Sequence, residues 1–377
     1  MTKGQPLDTH IHLDHEPEIN RLFQAAIKTG ASDIHLKVGL VPKLRIQRVL
    51  KNTTGEIITK ESAQRLIFEI LSEDQKEFFL DNGVLDFAWQ VGEDNRFRVN
   101  IFRQRGFISL VARHITSNIP QFESLHLPEV IKKIAENHDG LVLVTGPTGC
   151  GKSTTIASMI DHINNTRPCH IVTIEDPIEY LYRDQKAIIS QREIGIDVPD
   201  FESALKTLMR QDPDVVLIGE IRDGETLTAS MRAAETGHLV FGTLHSINPA
   251  QTIQRLLDLF GQQERDLARQ SLALTIRAII SQNLMPGLKP EAMLMPAVEI
   301  LTTSPIVRKL ISEKREAELS DVIRASQNEG MQDFTESLRK LIMEDWVELK
   351  VALQHAPNVE ELRMAIKGIR GSTSGIL

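Results

Sequence analysis

The stretch LVLVTGPTGCGKSTTIASMIDHINN, residues 141 to 165, restricts the fold more than any other part of the chain. Leu141 to Thr145 form a short aliphatic, β-branched run, which predicts a buried strand. The apolar periodicity after Lys152 predicts a helix. Between them lies the full pattern G-x-x-x-x-G-K-S, from Gly146 to Ser153. A buried strand that passes through a glycine loop straight into a helix is a unit of α/β architecture, and the pattern carries chemistry only in that setting.

The residue types explain one another. Glycines permit the backbone angles that turn successive N–H groups inward, making a concave nest for phosphate oxygens. The helix that follows points its positive end at the same anion. Lys152 supplies a point charge for the β- and γ-phosphates, and Ser153 a hydroxyl for Mg²⁺. Gly146, Pro147, Thr148, Gly149, Cys150, Gly151, Lys152, Ser153 and Thr154 are therefore expected to cradle ATP with its Mg²⁺, as a P-loop. The same surroundings favour a thiolate at Cys150, which is expected to react faster than Cys169. The plain alternative is that Cys150 is a small spacer in the loop.

The chain has 377 residues, room for two or three domains. Lys and Arg total 43 against 51 Asp and Glu, a net charge of −8, and no block of basic residues occurs. A sheath for nucleic acid is usually basic, so no direct nucleic-acid partner is expected. The two cysteines form no C-x-x-C pair, which fits a reducing compartment and excludes a zinc ribbon. MTKGQPLDTH lacks a secretory apolar core, and no stretch approaches the roughly eighteen apolar residues of a membrane span. A cytoplasmic protein is expected, with any membrane role exercised through partners.

Residues 1–15 read as a polar tail in which His10, His12 and His15 lie beside Asp8 and Asp14. H-x-H opens the metal site of some hydrolases, but no later His/Asp set clearly completes one here, and a solvated tail is the better reading. Residues 16–113 read as a small α+β domain. It starts with a helix from Pro17, with Leu22, Ala26 and Ile27 on one face and Gly30 as its stop. Strands in SDIHLKV and PKLRIQRVL follow, then a helical stretch from about Glu61 to Leu80. VLDFAWQV, a turn at GEDN, and RFRVNIFRQRGFISLVARHI suggest antiparallel strands. Residues 114–127 read as a linker and 301–377 as a helical region broken at Gly330 and Pro357. In residues 128–300 the apolar runs LVLVT, HIVTIED, DVVLIGE and LVFGTLH alternate with helical patterns, as in a parallel sheet covered on both faces.

Three of those strands end in groups suited to phosphate chemistry. DVVLIGE closes on Gly219-Glu220, a single carboxylate where an open α/β sheet places its ligand crevice. Glu220 is the candidate for organising the attacking water, with Mg²⁺ coordination through water as its other role. HIVTIED closes on Glu175 and Asp176 before Pro177 forces a turn, so Glu175 is expected to face the same nucleotide and Asp176 to lie beside it. Glu179 reads as an ordinary loop acid. His238 and His245 bracket HLVFGTLH; His245 is placed to sense a γ-phosphate, with His238 the weaker candidate. A structural role is the alternative for both.

Together, GPTGCGKSTT, TIEDPIEY, LMRQDPDVVLIGEIRD and AAETGHLVFGTLHS resemble the Walker A, Asp box, Walker B and His box of the secretion ATPases. Within them the chain is similar to the type IV pilus retraction ATPases, the PilT and PilU group. SDIHL, RFRVNIFRQRG and GMQDFTESL extend the likeness over nearly the whole chain. The resemblance implies a RecA-like P-loop NTPase core behind an N-terminal PAS-like α+β domain, with a helical C-terminal region. It implies a hexameric ring that hydrolyses ATP to power pilus retraction and twitching motility. An inner-membrane platform protein would recruit the ring, and a paralogous retraction ATPase is a further candidate partner.

In that family two front-domain arginines, fifteen positions apart, reach the phosphates held by the neighbouring subunit; Arg98 in RFRVN and Arg113 in VARHI match on motif and spacing. Strand alternation separately puts Arg96 and Arg98 on one face, opposite Phe97, Val99 and Ile101. Arg96, Arg103 and Arg105 fit a solvated charged face. Assembly and secretion members often carry a tetracysteine zinc loop, which two cysteines cannot build. Against this, the family's AIRNLIRE box reads IVRKLISE here: Arg308, Leu310, Ile311 and Glu313 are kept, while Lys309 and Ser312 differ. The competing readings are an assembly or type II secretion ATPase, a RecA-like nucleic-acid translocase and a non-hydrolysing regulatory ring.

Overall fold

Alternation along single strands and unbroken aliphatic runs along others build two different sheets. The computed structural model describes residues 16–46, 49–92 and 95–369, so His10, His12 and His15 lie outside it. It divides into two compact units. Of the described residues, the first holds those up to Asn118 together with Pro177–Arg183 and Arg192–Asp200; the second holds Ile119–Asp176, Asp184–Gln191 and those from Phe201 onward.

The first unit comprises α1 (Asn20–Thr29), β1 (Asp33–Lys37), β2 (Lys43–Ile46), β3 (Val49–Asn52), α2 (Lys60–Phe68), α3 (Glu73–Asn82), β4 (Val84–Val91), β5 (Asn95–Gln104) and β6 (Phe107–Ile115). Its sheet runs β3-β2-β1-β6-β5-β4 with every neighbour antiparallel. Along β5, Phe97, Val99 and Ile101 are fully buried while Arg96, Arg98 and Asn100 take the other face. The α1 helix turns the expected face to the core: Ala26 is fully buried, Leu22 and Ile27 are half-buried against it, and Phe23 lies fully buried at the centre of the same face. Phe23 meets Phe97 edge-on at 4.7 Å, and burying a ring of that size contributes about 2–3 kcal/mol. Gly30, at φ 62°, ends the helix by donating back to Ala26 and Ile27. The single helix expected over Glu61 to Leu80 is two, because Ser72 and Gln75 form a capping box that starts α3 afresh. PKLRIQRVL likewise divides into the antiparallel pair β2 and β3.

The second unit continues with α4 (Val130–Ala135), β7 (Gly140–Thr145), α5 (Lys152–Thr166), β8 (His170–Glu175), β9 (Ile188–Glu193, its last two residues counted with the first unit), α6 (Phe201–Leu208), β10 (Val215–Ile218) and α7 (Gly224–Glu235). After these come β11 (Leu239–Leu244), α8 (Pro249–Leu257), α9 (Arg265–Thr275), β12 (Ile276–Pro286) and β13 (Leu294–Thr302). Five helices follow: α10 (Pro305–Ser312), α11 (Leu319–Ala325), α12 (Phe334–Met343), α13 (Leu349–His355) and α14 (Val359–Ile366). The sheet runs β13-β12-β7-β11-β10-β8-β9. From β12 across to β8 its neighbours are parallel, and β13 is antiparallel to β12. Every residue of β7, β10 and β11 is buried, as their unbroken aliphatic sequence requires. In register, Thr145 lies beside Leu244, and Ile218 lies between Ile174 and Gly242. The segments leaving these four strands therefore emerge along one edge of the sheet.

IVRKLISE forms α10, which starts at a Ser304 cap and buries Leu310 and Ile311. Its two divergent positions cost nothing in the core: Lys309 is exposed and pairs with Glu313, and Ser312 Oγ donates to the Lys309 carbonyl. Among the described residues no helix is long and apolar enough to cross a membrane.

Candidate active site

Between β7 and α5 the backbone takes angles that only glycine adopts freely: φ is 146° at Gly146, 78° at Gly149 and 91° at Gly151. Pro147, Thr148 and Gly149 are exposed while Cys150 is buried, so the loop arches outward over its own floor. The helix begins at Lys152 with no side-chain cap, leaving its first N–H groups available to an anion. Ser153 is exposed on that first turn. Lys152 Nζ folds back to donate to the carbonyls of Gly146 at 2.9 Å and Pro147 at 3.1 Å. Burial lowers its pKa against the pull of Cys150 and Glu220.

The thiolate expected at Cys150 is not supported. The side chain points beneath the loop, where a Cβ on Gly146 would meet its Sγ at 2.6 Å. Burial pushes the thiol pKa up, and the opposing charge of Lys152 and the local backbone hydrogen bonds do not reverse the shift. Cys150 enters the loop as a protonated, inward-facing group.

The strand ends bring four further side chains to the head of the loop. His245 Nδ1 lies 3.4 Å from Lys152 Nζ, and His245 Nε2 lies 3.5 Å from Glu220 Oε1. Arg222 donates to the other Glu220 oxygen, Oε2, at 2.6 Å and approaches Asp176 Oδ2 at 3.9 Å. A continuous line Lys152–His245–Glu220–Arg222–Asp176 results. Burial pushes the Glu220 pKa up, but the Arg222 hydrogen bond, with the charges of Arg222, His245 and Lys152, holds it below the ordinary carboxylate value. Glu175 lies on the neighbouring strand end, buried, and accepts from Thr173 Oγ1 at 2.7 Å. The glycine before Glu220 has a physical reason: a Cβ at Gly219 would come within 3.2 Å of the Glu175 Cα. His238 is not part of this cluster. It precedes β11, at the end opposite His245, and its Nδ1 meets the Ala233 carbonyl at 2.9 Å and Thr236 Oγ1 at 3.1 Å.

Arg222 was not singled out from the sequence, although it lies inside the GEIRD string. Its only local signal is the two-residue spacing from Glu220. Gln282 was missed altogether: its amide donates to the Cys150 carbonyl at 2.8 Å and accepts from Thr155 Oγ1 at 2.8 Å. No local pattern marks it.

Within the first unit, Arg98 and Arg113 are direct cross-strand partners on β5 and β6. Their spacing of fifteen is thus the register of one hairpin. Arg113 Nε donates to Asp33 Oδ1 at 3.0 Å, and Asp33 also pairs with Arg45 at 3.3 Å. Arg98 lies 4.0 Å from Asp86. Asp33, Asp86, Arg98 and Arg113 line a cleft of about 220 Å³ together with Asn100 and Glu179. Arg96 departs from the solvated role expected of it: its side chain is 20% exposed and pairs at 3.2 Å with the buried Glu193. Arg103 stacks on the Phe79 ring and donates to the Leu80 carbonyl, which makes it a partner of α3.

A largely parallel sheet in which an interior strand feeds a glycine loop, with a histidine and an acidic strand end beside it, defines a P-loop α/β protein. Residues 13–368 match the family described as type II/IV secretion system protein, and the chain belongs to that family. It is 38% identical over 339 residues to the type IV pilus retraction ATPase PilT of Pseudomonas aeruginosa, covering 90% of this chain and 98% of that protein. It is 36% identical over 351 residues to the type IV pilus ATPase PilU of the same organism, covering 93% and 91%. A crystal structure of the pilus retraction motor PilT with bound ADP superposes with a TM-score of 0.85 at 38% identity, over 93% of this chain and 99% of that one.

Proposed function

We propose that this protein is an Mg²⁺-dependent ATPase that powers retraction of a type IV pilus, as main motor or accessory paralogue. The observation that carries this reading is the line Lys152–His245–Glu220–Arg222 at the head of the P-loop, in a chain similar along its length to PilT and PilU. The loop from Gly146 to Thr154 receives the triphosphate. Lys152 exchanges its two carbonyl partners for phosphate oxygens, and Glu220 orients the attacking water and accepts its proton. The exposed Ser153 hydroxyl and, through water, the Glu220 carboxylate are the hard oxygen donors Mg²⁺ takes, and the ion supplies charge neutralisation at the phosphates. His245 senses the γ-phosphate; Glu175 and Asp176 shape the adjoining strand end.

The finer organisation belongs to the same proposal. A PAS-like domain over residues 16–113, a linker over 114–127, a RecA-like core over 128–300 and a helical region over 301–377 assemble as a homohexamer. Arg98 and Arg113 of one subunit then serve the nucleotide of the next. The ring works in the cytoplasm, recruited by the inner-membrane platform of the pilus machine. Deletion of the gene followed by a count of surface filaments tests the reading. Excess filaments that do not retract support it. Bald cells would identify an assembly motor instead, and parental filament number with parental motility would remove the pilus role.

A further inference from the structure

Gln282 sits on β12, the strand beside β7, and is 4% exposed. The Cys150 carbonyl can only accept, so the nitrogen of the Gln282 amide must face it. The amide oxygen is then fixed toward Thr155 Oγ1, which donates to it. Both ends of one side chain are thereby committed, one to the loop and one to the first turns of α5. Gln282 presses on the loop with both backbone and side chain: a Cβ on Gly146 would come within 2.2 Å of its carbonyl oxygen, and one on Gly151 within 2.8 Å of its side-chain Nε2.

We propose that Gln282 is a positioning residue for the phosphate cradle, and that it sets nucleotide affinity rather than the chemical step. The inference rests on the nucleotide reading above. The Cys150 carbonyl and the Gly151 N–H belong to one planar trans peptide, so they point in opposite directions. Tying the carbonyl down to Gln282 turns the Gly151 N–H toward the anion side of the loop. Without that tie the peptide is free to rotate, and the rotated carbonyl would set a negative dipole against phosphate oxygens. Thr155 keeps the amide from turning over. The cradle is thus held from below by a residue on a different strand.

The test is titration of the full chain with a ribose-labelled fluorescent ADP, alongside ATP hydrolysis at saturating substrate. Gln282→Met, similar in volume with neither polar end, should raise Kd about tenfold, with the loss falling on KM more than on kcat. Gln282→Glu should weaken binding further, because it sets an acceptor against the Cys150 carbonyl and a negative charge beneath the phosphates. Thr155→Val should raise Kd about threefold, and Thr155→Ser should restore the parental value. Combined with Gln282→Met, Thr155→Val should add nothing, since both act through one amide. A structural role alone would lower the melting temperature without this split between KM and kcat. Kd within about twofold of the parent in both Gln282→Met and Thr155→Val would overturn the proposal. Should Gln282→Met not fold, Thr155→Val and its serine counterpart decide the matter. Failure of the unaltered protein to bind the labelled ADP would overturn the nucleotide reading as well, which separates the two outcomes.

Discussion

Arg222 Nη2 donates to Glu220 Oε2 at 2.6 Å, so the carboxylate that follows β10 is held by a cation two residues further on. The contact anchors a group that burial alone would push toward protonation. Glu220 titrates low because Arg222, His245 and Lys152 together outweigh that burial. Replacing Arg222 by alanine therefore raises the pKa of Glu220. The acid limb of the pH–rate profile should move to higher pH in Arg222→Ala, with kcat at neutral pH down about tenfold. An unmoved acid limb would show that Arg222 does not control Glu220.

On the proposed reading, Glu220→Gln removes the general base and keeps its shape. Nucleotide binding should persist while turnover falls about a hundredfold or more, on the order of 3 kcal/mol in barrier. Steady-state hydrolysis and ADP titration on the same preparation measure the two separately. Near-parental turnover would leave the attacking water to another group.

The cross-strand pair Arg98 and Arg113 gives the trans arrangement a direct test. Arg98→Ala and Arg113→Ala should each slow hydrolysis by about a hundredfold or more. Mixing either with Lys152→Ala should restore part of the rate, because an intact P-loop from one subunit meets intact arginines from the other. Activity equal to the weighted average of the two parents would place the arginines' action within their own subunit. Asp33 accepts from Arg113 Nε and pairs with Arg45, so Asp33→Ala should lower activity by freeing Arg113 without removing its charge.

The P-loop and the strand-end acids were legible because each is a local pattern whose neighbours in sequence are its neighbours in space. Arg98 and Arg113 were marked only by the family resemblance; the structure gives their spacing a physical form, the register of one hairpin. Gln282 was not legible, since its two partners lie 132 and 127 residues away and its strand was not predicted. The apolar face of α1 was legible, because Leu22, Ala26 and Ile27 share one helical arc and all pack against the core, around Phe23. Arg96 looked solvated until the segment carrying Glu193 returned to meet it. Cys150 failed for an energetic reason. Counting nearby positive charge predicts a thiolate, but desolvation of the inward-facing sulfur acts the other way and is the larger effect.

That burial reverses the expected thiol chemistry. Cys150 is 3% exposed and its pKa is raised, whereas Cys169 is half-buried. Maleimide should therefore label Cys169 first, and labelling of Cys150 should require opening of the loop. Peptide mapping after short exposure reads the order. Faster labelling at Cys150 would mean that the loop spends much of its time open in solution.

Glu299 lies on β13 opposite Ser281, 8% exposed, in a strand that the sequence did not mark. Burial raises its pKa to about 8; the nearby Asp333 pushes the same way and Arg324 opposes both. Arg324 itself pairs with Asp333 at 3.3 Å, Glu361 at 3.7 Å and Asp321 at 3.7 Å. The folded pKa stands above the ordinary 4.5, so the folded state holds the proton more tightly than the unfolded chain. This contribution to stability is fully present below pH 4.5 and is lost as pH rises through about 8. Glu299→Gln cannot ionise, and it keeps a polar group of the same size. Its melting temperature should accordingly fall less than that of the parent between about pH 6 and pH 9, so that the variant gains on the parent as pH rises. Melting curves of the two proteins across that range give the answer, and parallel curves would mean that Glu299 ionises freely where it stands.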